Sequence, residues 1–166
     1  MEARLMRTLR LEKGYTYGAG SFFRENSYQT PFYAYSQVRS NVTLESLEIF
    51  KNIINGYANS YNSEDLELTK NKLIKQNALR FERLGSLLNM LDTISKFNFP
   101  DTYIQRQQDV LTSMSLEEAK SIAESQFNAD KMYFVVAGDA KTQLSRIKEL
   151  GYGNPIMLDR EGNRIK

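Results

Sequence analysis

The stretch Leu9-Arg10-Leu11-Glu12-Lys13-Gly14-Tyr15-Thr16-Tyr17-Gly18-Ala19-Gly20-Ser21 puts a helix end, a glycine turn and an aromatic strand into one short run, and the rest of the chain reads as scaffold around it. Leu5, Met6 and Leu9 at helical spacing predict a helix over Ala3 to Lys13, with Arg10 and Lys13 in the last turn complementing the negative end of the dipole. Gly14 stands where a helix stop favours positive φ. Tyr15 to Phe23 is rich in aromatics and hydroxyls and predicts a strand, with Tyr15, Tyr17 and Ala19 on one face. Gly18 and Gly20 then leave the other face bare, open to the backbone of a ligand or a neighbouring strand.

Composition limits the chemistry. The 166 residues, 41% hydrophobic, are enough for one well-buried core, and a single domain over residues 1–166 is expected. A net charge of +2 is too mild to imply a nucleic acid or an acidic membrane. There is no cysteine, which excludes disulfides and thiolate chemistry, and no histidine. Without either, the chain has no Ser-His or Cys-His nucleophile pair and no nitrogen or sulfur ligand of the kind zinc usually takes, leaving carboxylate-only chemistry. No apolar run reaches the length of a membrane span, and Met1-Glu2-Ala3-Arg4 does not open a signal peptide. Cytoplasm and periplasm are equally compatible with that. The first helix has no Ser, Thr, Asp or Asn ahead of it to cap its amides, so the chain reads as starting mid-helix, as a piece of a longer protein would.

Beyond a turn at Arg24 to Ser27, Thr30 to Ser40 predicts a second strand, antiparallel to the first, in which Phe32, Ala34, Ser36 and Val38 alternate against Tyr33, Tyr35, Gln37 and Arg39. Thr43 is the expected cap of a helix striped by Leu47, Phe50, Ile54 and Tyr57. Ser63, with Glu64 and Asp65 in the first turn, opens a helix expected to run to about Phe97, striped by Leu73, Phe81, Leu84, Leu88 and Leu91 and closed by Pro100. Asp101 to Ser113 is a shorter helix. Ser115-Leu116-Glu117-Glu118 is a capping box that begins another, with Ala119, Ile122, Ala123 and Phe127 inward. The apolar run in Asp130 to Asp139 predicts an interior strand. A last helix runs from about Lys141 to Gly151, and Pro155 to Asp159 reads as an edge strand before a turn at Arg160-Glu161-Gly162. Strands at both ends with helices between them are an α+β order, an antiparallel sheet with helices on one face.

Arg10 and Tyr17 flank the Gly14 turn, so a helix-end guanidinium and a strand-borne phenol can face one space as fixed donors to a carbonyl oxygen or a developing negative charge. The structural alternative has Arg10 capping its own helix and Tyr17 packed in a core with its hydroxyl satisfied. Lys13 to Gly20 departs from the RNA-reading strand of an RRM at Thr16, Gly18 and Gly20, and Gly18 to Ser21 lacks the Lys-Ser/Thr of a P-loop. Arg80-Phe81-Glu82-Arg83 reads as a solvated face with Phe81 turned inward. Tyr15, Tyr17, Tyr28, Tyr33 and Tyr35 read as a half-buried sheet surface that also suits an added peptide strand.

The segments ARLMRTLRLEKGYTYGAGSFF, SEDLELTKNKL with LRFE after it, MSLEEAKSIAESQFNADKMYFVVAGDA and LDREG together resemble the carboxy-terminal domain of the insulinase, or pitrilysin-type, zinc metallopeptidases over nearly the whole chain. The resemblance implies paired homologous halves around a chamber. In that family the amino-terminal half carries His-x-x-Glu-His and a distal Glu, and the second half supplies an Arg and a Tyr that bind the substrate carbonyl and help hold the tetrahedral intermediate. Arg10 and Tyr17 match those two positions. With no histidine, this chain lacks the metal motif outright. The reading is therefore a non-catalytic, substrate-binding half with no catalytic or metal residue of its own, whose zinc sits in a partner half. Its expected partners are a peptide or protein substrate, a zinc-bearing amino-terminal half or subunit, and a second copy of itself, with neither nucleic acid nor a membrane span among them. The alternative is a non-enzymatic structural or interaction module of the same family. A domain lacking its first strands leaves an open sheet edge for the absent part, a second copy or a peptide, which predicts self-association or marginal stability.

Overall fold

In the computed structural model every residue is described except Glu25, Ser27 and Lys166, with the backbone alone described for Ala78, Leu79 and Arg80. Two compact units form, Met1–Gly56 with Asn128–Lys166 and, separately, Tyr57–Phe127.

The first unit opens with α1 (Glu2–Leu5), which runs on as a π-helix over Met6–Glu12. Leu5 and Leu9 are both fully buried on its inner side. The predicted stop holds: Gly14 adopts φ 63, and the N–H groups of Gly14 and Tyr15 donate back to the carbonyls of Arg10 (3.2 Å) and Leu9 (2.8 Å).

β1 (Thr16–Phe23) and β2 (Phe32–Val38) pair antiparallel, with Ala19 opposite Ser36, Gly20 opposite Tyr35 and Phe22 opposite Tyr33. Ala19 joins Leu5, Leu9 and Phe50 in the core, with Met6, Tyr15, Ala34, Ile49, Ile53 and Phe134 packed around them. Away from the core, Phe22 stacks on Tyr33 at 5.3 Å. The expected bare face is filled at Gly20, where a Cβ would come within 2.9 Å of the Tyr35 ring, and stays open at Gly18. The register slips between Thr16 and Ala19. This bulge overturns the expected shared face of Tyr15, Tyr17 and Ala19, because the extra residue turns Tyr17 outward while its two neighbours pack inward. Of the expected turn at 24–27, Glu25 and Ser27 lie outside the described residues; Asn26 Oδ1 accepts the N–H groups of Tyr28 and Gln29, each at 2.9 Å.

α2 (Thr43–Asn55) follows a 3-10 turn at Ser40–Val42. Thr43 is not its cap. It is the first helical residue, and its hydroxyl donates to the Ser40 carbonyl at 2.8 Å. Phe50 and Ile54 of the predicted stripe are buried. The carboxy-terminal part of the unit docks on α2 through polar ends: Asn55 Oδ1 accepts the Ala129 N–H (2.7 Å), Lys51 Nζ donates to the Leu150 carbonyl (3.2 Å), and Arg146 pairs with Glu45 (2.7 Å).

The apolar run after Asp130 is not an interior strand. Tyr133 to Ala137 makes no backbone hydrogen bond among the described residues, and β1 and β2 pair only with each other. One side chain, Phe134, reaches the core. α8 (Ala140–Ile147) is capped by Asp139, whose Oδ1 accepts the Lys141 N–H at 3.0 Å, and its 3-10 extension ends at Gly151 with φ 90. The expected edge strand near Pro155 reduces to one bridge, Leu158 opposite Arg164, around a turn held by Asp159.

The second unit comprises α3 (Tyr57–Ser60), α4 (Ser63–Arg80), α5 (Leu84–Lys96), α6 (Tyr103–Ser113) and α7 (Leu116–Gln126). The long helix expected from Ser63 to Phe97 is thus two. Arg83 is extended at φ −118, ψ 122 and its carbonyl starts α5 anew by accepting from Ser86 and Leu87. The predicted stripe gives no reason for one rod, since Phe81, Leu84, Leu88 and Leu91 are all exposed rather than inward. α5 stops at left-handed Asn98 (φ 51), ahead of Pro100. The capping box stands as predicted: Ser115 Oγ accepts the Glu118 N–H (3.1 Å) and Glu118 Oε2 accepts the Ser115 N–H (2.8 Å). Of the inner face expected for α7, Ala123 is buried and Ile122 exposed.

Leu9→Ala, which empties a fully buried position, will destabilise the chain by about 2–5 kcal/mol in urea denaturation. Tyr152 supplies a pH test. Desolvation of its hydroxyl, then the 2.7 Å hydrogen bond to Asp130 and that residue's charge, push the phenol up to about 12. The unfolded chain gives up this proton from its ordinary value of 10.0, so the stability tied to Tyr152 is complete below pH 10 and disappears as pH rises from 10 to about 12. Denaturation midpoints of the parent, minus those of Tyr152→Phe, will fall across that window and stay level from pH 7 to 9.

Candidate functional site

The π-helix, the Gly14 turn and the bulge in β1 are three consecutive departures from regular geometry, and Arg10 and Tyr17 lie at their two ends. Extra residues inserted into helices and strands re-aim the side chains beside them. Arg10 occupies the last turn of the π-helix and is exposed, while the acid of that turn, Glu12, is engaged by Arg7 at 3.1 Å. Tyr17 is 96% exposed. Neither side chain has a hydrogen-bond, ion-pair or ring partner among the described residues. The core-packed alternative for Tyr17 is therefore excluded, and so is a capping role for the Arg10 side chain.

What holds the bulge is Thr16. Its hydroxyl donates toward the carbonyls of Gln37 (2.6 Å) and Gly18 (2.8 Å) and accepts the Gly18 N–H (3.0 Å). Ser36 Oγ adds a donor to the Gly18 carbonyl at 2.9 Å, so the peptide groups released from the ladder are satisfied by side chains. Ala19, the first residue after the bulge, donates its N–H to Met6 Sδ at 3.0 Å and stays pinned to the π-helix. From the other side, Arg39 Nη2 donates to the Gly14 carbonyl at 3.3 Å. Sequence reasoning picked out Arg10 and Tyr17 but missed Thr16 and Ser36. The available signal was a hydroxyl residue directly before an aromatic-Gly pair, with a second hydroxyl on the facing strand.

The two donors are brought to the two sides of one buttressed turn, and no hydrogen bond or ring contact joins them to each other among the described residues. The chemistry open to them is donation to an oxygen. Zinc does not fit here: the 166 residues include no His or Cys, and no group of three or more His, Cys, Asp or Glu converges among the described residues. No helix is long and apolar enough to cross a membrane. A shallow apolar cavity of about 360 Å³, lined by Val110, Ser113, Met114, Glu118, Ser121 and Ile122, belongs to the second unit and includes neither donor.

Residues 1–73 match the family model of the peptidase M16 inactive domain, which takes in the turn, both strands and both donors. No curated protein matches the chain. Among solved structures, the peptidase M16 inactive domain from Pseudomonas fluorescens superposes with a TM-score of 0.70 at 22% identity, over 77% of this chain and 31% of its own. The chain thus spans about a third of the length of that solved relative. The first 73 residues are thus similar to the peptidase M16 inactive domain, and the chain shares the fold of that solved relative over most of its length, while its sequence holds no histidine with which to build a zinc motif.

Proposed function

We propose that this chain is the substrate-binding, non-catalytic half of an insulinase-type zinc metalloendopeptidase, taking part in peptide hydrolysis only beside a zinc-bearing partner half. The observation that carries this reading is the pair of unpartnered donors, Arg10 and the 96% exposed Tyr17, held out by a π-helix and a bulge whose own polar groups are satisfied. A chain that spends hydroxyls on such a bulge and leaves a phenol in solvent has gained nothing for its core. The phenol and guanidinium donate to the carbonyl oxygen of a bound peptide, and they matter most as negative charge grows on it. Metal and activated water belong to the partner.

The second reading, a structural or interaction module, is favoured by the unpaired segment Tyr133 to Ala137, which suits assembly without catalysis. The two readings separate on Tyr17→Phe. With the zinc-bearing half of the same enzyme supplied, kcat should drop roughly a hundredfold, as for loss of one oxyanion donor, while KM and peptide affinity stay within about twofold. Equal kcat for mutant and parent would remove the substrate-binding reading and leave the structural one.

A further inference from the structure

Tyr17 and Gly18 together stand opposite the single residue Gln37, since β1 pairs Thr16 with Val38 and Ala19 with Ser36. A regular ladder would join backbone to backbone at this place, and the Thr16 hydroxyl stands there instead. The Gly18 N–H donates to Thr16 Oγ1 at 3.0 Å, and Thr16 Oγ1 lies 2.6 Å from the Gln37 carbonyl. A hydroxyl has one proton to give. Ser36 Oγ already donates to the Gly18 carbonyl at 2.9 Å, so the Thr16 proton goes to Gln37, and amide, hydroxyl and carbonyl form one relay across the bulge.

The competing register follows from the rest of the ladder. Carrying the pairs Gly20 with Tyr35 and Ala19 with Ser36 back along the strand, without an extra residue, sets Gly18 opposite Gln37 and Tyr17 opposite Val38. Tyr17 then shares the face of Ala19, which is buried, and leaves the solvent face on which it is now 96% exposed. Exposure along β2 agrees, because Gln37 is exposed and Val38 half-buried. Nothing beyond the bulge has to move for this exchange: Ala19 stays tied to Met6 Sδ, and the Tyr35 ring stays over Gly20. Taking the Tyr17 ring out of water favours the regular register, and the partners found by the bulged peptide groups oppose it. The outcome at Tyr17 thus turns on the side chain that supplies those partners.

We propose that Thr16 is a positioning residue for Tyr17: its hydroxyl, by relaying the Gly18 amide to the Gln37 carbonyl, holds the bulge and keeps the phenol on the solvent face. The use of that phenol on a substrate carbonyl rests on the function proposed above, whereas its placement does not, and the test needs no substrate. Tyr133, 97% exposed, is an internal standard for Tyr17. Brief treatment with tetranitromethane, followed by peptide mapping, should nitrate the two rings of the parent at rates within about twofold of each other. Thr16→Val keeps the branched shape and removes the hydroxyl, and it should lower nitration of Tyr17 relative to Tyr133 roughly fivefold, while Thr16→Ser, which retains the hydroxyl, keeps the parent ratio. Circular dichroism and a cooperative urea transition identify the folded variants, since an unfolded chain nitrates both rings alike. Deleting Gly18 isolates the cause. The shortened strand pairs regularly, with Tyr17 opposite Gln37 on the solvent face and no bulge to hold, so Thr16→Val in that background should leave the ratio unchanged. In the unaltered chain the Gly18 amide, although its residue is exposed, should exchange roughly tenfold or more slowly than in an unstructured peptide. Exchange at the peptide rate, a folded Thr16→Val chain that nitrates Tyr17 as the parent does, or an equal loss of nitration with Gly18 deleted would each overturn the proposal. An unchanged kcat for Tyr17→Phe would remove the proposed function and leave this placement standing.

Discussion

Burial of Leu5 and Leu9 against Ala19 and Phe50 is the contact on which the first unit rests. It fastens the opening helix to β1 and to α2 together, and a Leu pair removed from water contributes on the order of 3–6 kcal/mol before entropy is counted. Everything between Leu9 and Ala19 then has to close within nine residues. The chain meets this constraint with a widened helix, a left-handed glycine and an inserted strand residue. Each of these spends residues without adding to the core, and the surplus emerges as Arg10 and Tyr17 in solvent.

Such a turn holds its shape only if the peptide groups it frees find other partners. Thr16 and Ser36 supply them on the strand side, and Met6 Sδ on the helix side. Arg10 and Tyr17 are thus carried by a backbone fixed at three points. The aromatic side of the hairpin is equally settled, with Tyr35 laid over Gly20 and Phe22 stacked on Tyr33. The surface around Tyr17 is therefore firm, although Tyr17 itself touches nothing.

The same unit is unfinished elsewhere. Among the described residues its sheet has two strands, and Tyr133 to Ala137, with the composition of an interior strand, makes no backbone hydrogen bond to either. The chain has neither histidine nor cysteine, and the backbone of Tyr133 to Ala137 makes no hydrogen bond among the described residues.

Local signals were legible in the residues themselves: the Gly14 stop, the Ser115-Glu118 capping box, the antiparallel hairpin and the α+β order depend on interactions within a few positions. The placing of Arg10 and Tyr17 on either side of the Gly14 turn was visible too, since it follows from their order along the chain. Tertiary structure alone decided that Tyr17 faces water and not the core, because one inserted residue reverses strand parity and the periodicity of the letters carries no mark of it. It also decided the break between α4 and α5, where apolar spacing implied a buried stripe that no neighbour covers. The fate of Tyr133 to Ala137 was settled in the same way: apolar side chains specify a readiness to pair, whereas pairing needs another strand at hydrogen-bonding distance, and only the assembled backbone determines whether one is there.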